Sequence, residues 1–471
     1  MSKELEYDLV AIGGGTAGLV TAAGAAYLGA RPGLVESAAL GGDCLWTGCV
    51  PSKALIASAR LAHTMSQAEK LGLVGAAPVH AFSEVMERMT RARGVVAHHD
   101  DPERFRDMGV GVHFGNARFV DPHRVEVEGV GRLRSRRFVI ATGACSTAPP
   151  IPGLADIGYL TNETVFDTQS LPERLVILGG GPIGLEFAQV FARLGARVTV
   201  LEMMDQILPK EDPDVADALA DLLRAEGITI ELGTKVVQGD KDGDAKCLTT
   251  EDGRRFAADE ILVATGRRPA TGSLELERAG VELDGAAVRV DKHLKTTGDR
   301  IWAAGDVTGG LQFTHVADYM AKTALRNALL PLNTAVDYAN VPWVTYTDPE
   351  IAHVGMGQAE AEALGGQTYT YHFADLDRAI TDAETAGFVR ISADRKGKIL
   401  GATILGHGAG DLLQPLVLAK THGLTLADIS NTIFPYPTMV EGVKRAASEY
   451  QRARLDGPAG KVLKKVVSWL K

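Results

Sequence analysis

The sequence predicts an α/β protein in which two copies of one strand–turn–helix unit are followed by a C-terminal domain of the α+β type. Three observations predict this class: an internal repeat, a glycine-rich turn in each copy, and alternating apolar residues from about residue 340 onward. Because 471 residues exceed what one hydrophobic core usually serves, we expect four domains, at 1–150, 151–270, 271–340 and 341–471.

The internal repeat consists of LVAIGGGTAGLVTAAGAAYLGARPGLVE (9–36) and LVILGGGPIGLEFAQVFARLGARVTVLE (175–202). The two segments align without gaps from end to end, and half of the aligned positions are identical. Each copy has the pattern of an apolar strand, a glycine turn, a helix and a second strand that ends in Glu36 or Glu202. This pattern is typical of a dinucleotide-binding unit, so we predict two Rossmann-like three-layer domains.

The glycines of each copy have separate physical roles. A tight turn, a close approach of backbone to a pyrophosphate, and close packing of helix on strand each need one glycine. The tight turn depends on Gly13 and Gly179. The approach to the pyrophosphate depends on Gly15 and Gly181, and the packing of helix on strand depends on Gly18 and Gly184. The free N–H groups of the helix N-terminus favour phosphate, and the terminal glutamates can accept from ribose hydroxyls. Ordinary turns of α/β units are the weaker interpretation, because two copies share the full frame.

Three further motifs lie at predicted strand ends. ATGACSTAPPIPG begins at residue 141 and contains Thr142 and Gly143, ILVATGRRP begins at residue 261 and contains Gly266, and IWAAGDVTGG begins at residue 301 and contains Asp306. We expect these residues to face a bound dinucleotide, with an ordinary turn as the alternative for Asp306. Farther on, FVRISADRKGKILGATILG (388–406) predicts two antiparallel strands, and helical patterns follow at 411–422 and 441–455.

Charge and composition exclude several classes of protein. A net charge of −10 argues against nucleic acid as a partner. No apolar run reaches the roughly 18–20 residues of a membrane span, and the first residues, MSKELEYDLVAIGGG, lack the basic-then-apolar order of a signal peptide. We therefore expect a cytoplasmic protein, and permanent structural disulfides are rare in that compartment.

Two of the four cysteines, Cys44 and Cys49, lie five residues apart in the motif GGDCLWTGCVPSK. A structural disulfide here would close too short a loop to constrain the unfolded chain much. A zinc site would need further ligands, and Cys145 and Cys247 are isolated, so no metal site is expected. A redox-active dithiol fits best, because Asp43 is a suitable N-cap for a helix that starts at Cys44, and a helix N-terminus favours the thiolate.

These motifs resemble those of the FAD-dependent pyridine nucleotide–disulfide oxidoreductases, the family of dihydrolipoamide dehydrogenase, glutathione reductase and mercuric reductase. The similarity runs from residue 7 to about 455 and depends on GGDCLWTGCVPSK, IWAAGDVTGG and ATGRRP. The resemblance implies that the first glycine unit, together with Gly42, holds FAD and that the second holds NAD(P)H. It also implies a homodimer.

The resemblance gives the dithiol an orientation. Cys49 corresponds to the sulfur beside the flavin and Cys44 to the sulfur that meets the substrate. Lys53 and Glu186 match an ion pair next to flavin N5, so Lys53 is expected both to contact FAD and to act in catalysis. The implied cycle carries hydride from NAD(P)H through the flavin to the disulfide, after which the Cys44 thiolate attacks the substrate.

The residues around Glu202 favour NADH over NADPH. A carboxylate at this strand end accepts from a ribose hydroxyl and repels a ribose phosphate, and Met203 and Met204 follow where an arginine would bind that phosphate. A salt bridge is the alternative role for Glu202.

The acid–base residue of the family is replaced in this chain. Members that act on thiols use a His–Glu pair from the partner subunit, but ISNTIFPYPTMVEGVKRAA (429–447) has Tyr436 at the histidine position and keeps Glu441. Tyrosine, with a pKa of about 10, is only on the order of 0.1% ionised at neutral pH, whereas histidine titrates near neutrality. The replacement disfavours oxidation of a dithiol substrate.

The segment FPYPTMVEG is similar to the corresponding segment of mercuric reductase, and a soft metal ion held by thiolates needs no thiol-proton shuttle. The sequence lacks that enzyme's C-terminal pair of adjacent cysteines and its preceding heavy-metal domain. We therefore expect a mercuric-reductase-like enzyme that reduces a soft metal ion or a disulfide. Dihydrolipoamide dehydrogenase, an NAD(P)H:quinone reductase and a redox-sensing FAD-binding subunit with little turnover are the alternatives.

The last residues, GKVLKKVVSWLK (460–471), place apolar residues and lysines at helical spacing. We expect a surface helix docked on its own domain or on the partner subunit, with contact to a partner protein or a membrane surface as the alternative. Trp46, two residues after Cys44, either narrows the substrate channel or packs beneath its helix.

Overall fold

The computed structural model describes residues 4–76 and 81–470 and has a mixed α/β architecture. The elements of the N-terminal segment are β1 (Leu5–Tyr7), β2 (Leu9–Ile12), α1 (Thr16–Tyr27), β3 (Pro32–Glu36), α2 (Gly42–Trp46), α3 (Cys49–Ser66), α4 (Phe82–Ala97), α5 (Pro102–Asp107), β4 (Gly111–Phe114), β5 (Ala117–Asp121), β6 (Arg124–Val127), β7 (Gly131–Ser135), β8 (Phe138–Ile140) and β9 (Ala144–Ser146).

The N-terminal unit has three layers. Its parallel sheet includes β8, β2, β3 and β4 in that order, and α1 packs its buried alanines and leucine on one face. The sheet β1-β7-β6-β5 covers the other face, where Phe119, Val125 and Leu133 meet Val10 and Phe138 in one core. This arrangement confirms the predicted three-layer fold.

The second unit repeats the first. Its elements are α6 (Leu154–Ile157), β10 (Arg174–Leu178), α7 (Pro182–Arg193), β11 (Arg197–Leu201), α8 (Pro213–Ala225), β12 (Thr229–Glu231), β13 (Val236–Asp242), β14 (Ala245–Thr250), β15 (Arg255–Ala258), β16 (Glu260–Val263) and β17 (Arg267–Pro269). The parallel sheet has the order β12-β11-β10-β16, and β13-β14-β15 form an antiparallel sheet. Helix α1 begins at Thr16 and α7 begins at Pro182, which are aligned positions of the internal repeat, so its register is confirmed.

The segment that follows returns to the first unit. It contains β18 (Leu283–Asp284), β19 (Ala287–Val288), β20 (Ile301–Ala303) and α9 (Thr314–Leu329). Strand β20 pairs in parallel with β8 and becomes the edge of the first sheet, so its order is β20-β8-β2-β3-β4. Helix α9 packs on α1 through Met320 and Leu325. Residues after 300 therefore complete the sheet that residues 9–36 begin.

The C-terminal region has an antiparallel sheet with helices, as predicted. Its elements are β21 (Pro342–Thr345), β22 (Glu350–Gly355), α10 (Gln358–Ala363), β23 (Gln367–His372), α11 (Asp377–Thr381), β24 (Phe388–Ala393), β25 (Ile399–Gly406), α12 (Ala409–Leu412), α13 (Gln414–Thr421), α14 (Leu426–Asn431), α15 (Glu441–Asp456) and α16 (Pro458–Trp469). The sheet order is β21-β22-β25-β24-β23, and β24 pairs with β25 as the sequence predicted.

The tail helix, which we define as α16 together with Leu470, forms as predicted, and its predicted docking on the partner subunit stays a prediction. Its apolar side chains are exposed rather than docked on the C-terminal domain, as Trp469 at 89% and Val462 at 62% exposure show. In the part of the chain that the structure describes, no helix combines the length and the apolar composition needed to cross a bilayer.

Candidate active site

The first glycine turn is built by close backbone packing. Gly13 has φ +111°, and a Cβ atom there would overlap the backbone of Ala141. A Cβ at Gly18 would overlap the carbonyl oxygen of Gly13. In the second copy, Gly179 and Gly184 have the same relation to one another. Both turns therefore need glycine at these positions for their own folding, whatever they bind.

A third glycine in each turn has a different role. A Cβ at Gly15 would lie 3.8 Å from its nearest neighbour, the Cα of Gly42, and a Cβ at Gly181 would meet nothing within 4 Å. Both residues precede helix N-termini, with φ of −77° and −78°, which any residue can adopt. The protein's own packing does not require glycine here, so the open space fits the pyrophosphate of a dinucleotide.

The two glutamates at the second-strand ends make the same contacts. Oε2 of Glu36 accepts the N–H of Gly14 at 2.6 Å, and Oε2 of Glu202 accepts the N–H of Gly180 at 2.6 Å. The other oxygen of Glu202 accepts the N–H of Met204 at 2.8 Å. Each carboxylate is thus fixed at the edge of its glycine turn, and its remaining lone pairs can accept hydrogen bonds from ribose hydroxyls.

The strand-end motifs join the two nucleotide units. Strand β9 pairs with β17, the Thr142 hydroxyl donates to the carbonyl of Ala270 at 2.7 Å, and the Gly143 carbonyl accepts the Ala270 N–H at 2.9 Å. The Gly266 carbonyl accepts the Thr147 N–H at 3.1 Å. These contacts place Thr142, Gly143 and Gly266 in the two-stranded connection between the units.

Arg267 connects the redox motif to the end of β20. Its guanidinium pairs with the Asp43 carboxylate, lies 3.7 Å from Asp306 and donates to the Ala144 carbonyl at 2.8 Å. Burial raises the pKa of Asp306, and the positive charge of Arg267 opposes that rise. Asp306 therefore lies in a charged network and not in an isolated turn.

The role predicted for Asp43 is wrong. Helix α2 begins at Gly42 with Gly41 as its N-cap, and the Asp43 carboxylate makes no capping bond. It pairs instead with Arg267 and accepts from the Thr47 hydroxyl. A longer helix, α3, begins at Cys49. Cys49, and not Cys44, therefore lies at a helix N-terminus whose partial positive charge can stabilise a thiolate.

Cys44 and Cys49 are both free thiols, and each affects the ionisation of the other. The hydrogen bond from Cys44 lowers the pKa of Cys49 to about 6, with help from the Thr314 hydroxyl, 3.4 Å from Cys49 Sγ, and from the Lys53 charge. The same hydrogen bond and burial raise the pKa of Cys44. The pair therefore carries its thiolate on Cys49, the sulfur that the family pattern places beside the flavin.

Lys53 and Glu186 form the expected ion pair across two helices, α3 and α7. The Lys53 Nζ donates to Glu186 at 2.8 Å and lies 4.2 Å from the ring centroid of Tyr346. The second oxygen of Glu186 accepts the N–H of Tyr346 at 2.9 Å. The pair is therefore fixed by three segments. Near Cys49, the charge of Lys53 lowers the pKa of the thiol, and the charge of Glu186 opposes that shift.

Tyr436 and Glu441 lie elsewhere in the chain. The Tyr436 hydroxyl donates to the Asp377 carboxylate at 3.0 Å, and Glu441 accepts from Arg445 at 2.8 Å. The hydrogen bond to Asp377 raises the pKa of Tyr436. All these partners belong to the C-terminal region, and the described contacts do not join Tyr436 or Glu441 to the dithiol of the same chain.

Trp46 contacts the protein interior. Its indole N–H donates to the Leu40 carbonyl at 2.8 Å, and the Arg93 guanidinium lies 5.6 Å from the ring centroid. These contacts favour packing beneath helix α2 over a role in the substrate channel.

Three site residues were not identified from the sequence. Thr314 contacts Cys49 and Tyr346 contacts the ion pair, and no local motif marks either residue. Arg267 was recognisable in principle, because it lies inside ATGRRP. Among the residues that the structure describes, no three His, Cys, Asp or Glu side chains form a metal-binding cluster.

The low pKa of Cys49 predicts a pH-dependent spectrum. In the reduced enzyme we expect thiolate absorbance to fall as the pH drops through about 6, because the Cys49 anion takes up a proton there. Cys44→Ser keeps a hydrogen-bond donor and should hold this midpoint, whereas Cys44→Ala should move it toward the ordinary thiol value of about 8.5. A midpoint that is the same in both variants would contradict the role given to the Cys44 hydrogen bond.

Comparisons with known proteins agree with this geometry. Residues 7–321 match the family model "Pyridine nucleotide-disulphide oxidoreductase", and residues 341–447 match its dimerisation domain. A mercuric reductase from Streptomyces lividans is 38% identical over 94% of this chain and 96% of its own length. A dihydrolipoyl dehydrogenase from Haloferax volcanii is 38% identical over 93% of this chain and 95% of its own.

A similar solved structure is the Cu(II) complex of the HOCl-induced flavoprotein disulfide reductase RclA from Escherichia coli. It has a TM-score of 0.86 and 32% sequence identity, and the match covers 94% of this chain and 99% of that one. The matched dimerisation domain supports a homodimer. The chain belongs to the FAD-binding pyridine nucleotide–disulfide oxidoreductases, a family of NAD(P)H-linked enzymes, and is similar over nearly its whole length to mercuric reductases.

Proposed function

We propose that the enzyme uses NADH to reduce a thiophilic metal ion, such as Hg(II) or Cu(II), at the Cys44–Cys49 dithiol. One hydride supplies two electrons and releases one proton, which suffices to reduce one divalent ion to the neutral metal or two Cu(II) ions to Cu(I). Thiolate sulfur is the ligand that such ions prefer. Mercuric reductases among the relatives and the Cu(II) complex of RclA support this class of substrate.

The observation that carries the proposal is the state of Tyr436. Its hydroxyl donates to the Asp377 carboxylate, which raises its pKa and keeps it protonated. A protonated tyrosine whose single O–H is donated to Asp377 cannot take a proton from a substrate thiol. Reduction of a metal ion needs no such base, so Tyr436 suits metal better than it suits a dithiol.

The roles of the remaining residues follow from their charges. FAD, held by the first glycine turn with Glu36, Gly42 and Asp306, would supply two-electron transfer between nicotinamide and sulfur. Cys49 holds the thiolate on the flavin side, and Cys44 binds the incoming ion. The Lys53 ammonium, held in place by Glu186, stabilises the Cys49 anion, and the negative charge of Glu186 opposes that effect.

Tyr436 and Glu441 would complete the site of the other protomer. Tyr436 is 67% exposed in the single chain, and the dimerisation domain covers its position in the sequence. In a homodimer, each exposed Tyr436 would then face the Cys44 of the partner subunit.

NADH is the proposed donor because of Glu202. Its carboxylate is fixed by two backbone N–H groups at the end of β11, where the ribose of the nicotinamide cofactor would lie. A negative charge in that place repels a ribose phosphate. We place the enzyme in the cytoplasm, where NADH is supplied.

The test is a panel of acceptors. We would measure oxidation of NADH and of NADPH by the holoenzyme with Hg(II), Cu(II), lipoamide, glutathione disulfide and a quinone in parallel. The proposal predicts turnover with a metal ion and the higher kcat/KM with NADH. Rapid turnover of lipoamide without turnover of either metal would contradict it and favour a dihydrolipoamide dehydrogenase.

Replacement of Tyr436 by histidine should change the preference among acceptors. Tyr436→His introduces a base that titrates near neutrality, so we expect kcat/KM for lipoamide to rise about 10-fold or more. Tyr436→Phe is the matched control, which removes the hydroxyl without adding a base and should leave lipoamide turnover low. An unchanged lipoamide rate in Tyr436→His would count against the argument from Tyr436.

A further inference from the structure

The tail helix separates its apolar and polar residues completely. At 3.6 residues per turn, its apolar side chains fall within an arc of about 160°. These are Val462, Leu463, Val466, Val467, Trp469 and Leu470. Lys461, Lys464, Lys465 and Ser468 occupy the opposite arc. So clean a division is typical of a helix that lies at a boundary between an apolar and an aqueous phase.

The apolar arc is not used inside the chain. Each of its six side chains is exposed, from 46% for Val466 to 89% for Trp469. The helix is joined to α15 at Gly457, and Lys464 reaches back to Asp456 at 3.3 Å. A contiguous exposed apolar surface of this kind marks a site of interaction.

The charge of residues 458–471 indicates which kind of surface the tail helix can bind. Residues 458–471 contain four lysines and no acidic residue, a net charge of +4. The whole chain carries −10, which leaves −14 for the rest. Anionic lipid would repel that acidic body but attract the tail, so the tail is the part of the molecule that could hold it at such a surface.

We propose that the tail helix binds an anionic membrane surface. It lies in the plane of the interface with the apolar arc at the acyl boundary, and the lysine stems extend to the lipid headgroups. Protein interfaces are depleted in lysine and enriched in arginine and tyrosine. Residues 458–471 contain four lysines and neither arginine nor tyrosine. A second copy of the tail would also bring the same positive charge against the first.

The homodimer strengthens this contact. One short amphipathic helix binds lipid weakly, but two tails on one molecule make the second contact intramolecular, which raises the overall affinity. The enzyme would thus be held reversibly at a membrane surface. This inference goes beyond the proposed metal reduction and does not depend on it.

The experiment measures co-sedimentation of the FAD-loaded enzyme with two kinds of vesicle, phosphatidylcholine alone and equal parts of phosphatidylcholine and phosphatidylglycerol. We expect binding to the mixed vesicles only, and less of it at high salt. Val466→Asp should abolish binding by placing a charge at the centre of the apolar arc. Lys464→Gln with Lys465→Gln should weaken it by about 25-fold, at roughly fivefold per lysine.

Lys396→Gln is the matched control, because it removes an exposed lysine from the turn between β24 and β25. It should bind as the wild type does, and all variants should keep the wild-type NADH oxidation rate in solution. Equal binding to both vesicles, or binding that survives Val466→Asp, would overturn the proposal. So would assembly beyond a dimer, measured by light scattering, that Val466→Asp removes, because the tail would then be an interface between copies of the chain.

Discussion

Serine in place of either Cys44 or Cys49 is expected to lower NADH-dependent metal reduction by a factor on the order of 10⁴, because both sulfurs are needed to accept and pass on two electrons. The two variants should differ in their spectra. Cys44→Ser keeps the hydrogen bond that stabilises the Cys49 thiolate, so the reduced enzyme should retain a long-wavelength charge-transfer band. Cys49→Ser removes the anion and should lose that band.

Cys145→Ser provides the control for this pair. Cys145 is also exposed, but its Sγ contacts only the Arg268 carbonyl, at 3.6 Å, among the described hydrogen bonds. Its loss should leave both the rate and the spectrum unchanged. A charge-transfer band that persists in Cys49→Ser would show that the sulfur beside the flavin has been misassigned, and equal spectra in the two variants would contradict the placement of the thiolate.

The second large effect concerns the first glycine turn. Replacement by alanine should cost stability at Gly18 and FAD binding at Gly15. Gly18→Ala forces a Cβ into the Gly13 carbonyl, so the turn must shift, and we expect the free energy of unfolding to fall by about 3 kcal/mol or more. Gly15→Ala has 3.8 Å of clearance and an ordinary φ, so the fold should hold while FAD is lost.

The measurements are thermal unfolding and the FAD that each variant retains after gel filtration. Gly181→Ala gives the matched change in the second turn, where we expect full FAD content but a raised KM for NADH. If Gly15→Ala retained FAD at the wild-type affinity, the open space beside Gly15 would not be the pyrophosphate site.

The sequence was sufficient for much of this fold because the repeat carries strong local signals. The strands, turns and helices of both copies are encoded within the short segments 9–36 and 175–202, and the structure reproduces their alignment. The same holds for the β24–β25 hairpin, where alternation and a Lys/Gly turn fix the pairing. The ion pair between Lys53 and Glu186 was found through the family pattern, since the two residues are 133 positions apart.

The errors occurred where a partner is remote in sequence. Asp43 has the composition of an N-cap, but Arg267, 224 residues later, takes its carboxylate. Thr314 reaches Cys49 over 265 residues, which no local pattern reveals. For the tail helix, periodicity predicted the helix correctly but could not show that its apolar face is exposed in the single chain.

The first sheet takes its edge strand, β20, from a much later part of the sequence, and this affects how the chain folds during synthesis. Strand β8 ends at residue 140, but its neighbour β20 begins only at residue 301. The second unit lies wholly in between and can close its sheet as soon as residue 263 has emerged. At ribosomal rates, β20 is synthesised roughly 10–30 s after β8. The nicotinamide unit should therefore mature first, and the flavin should enter only after Asp306 has been made.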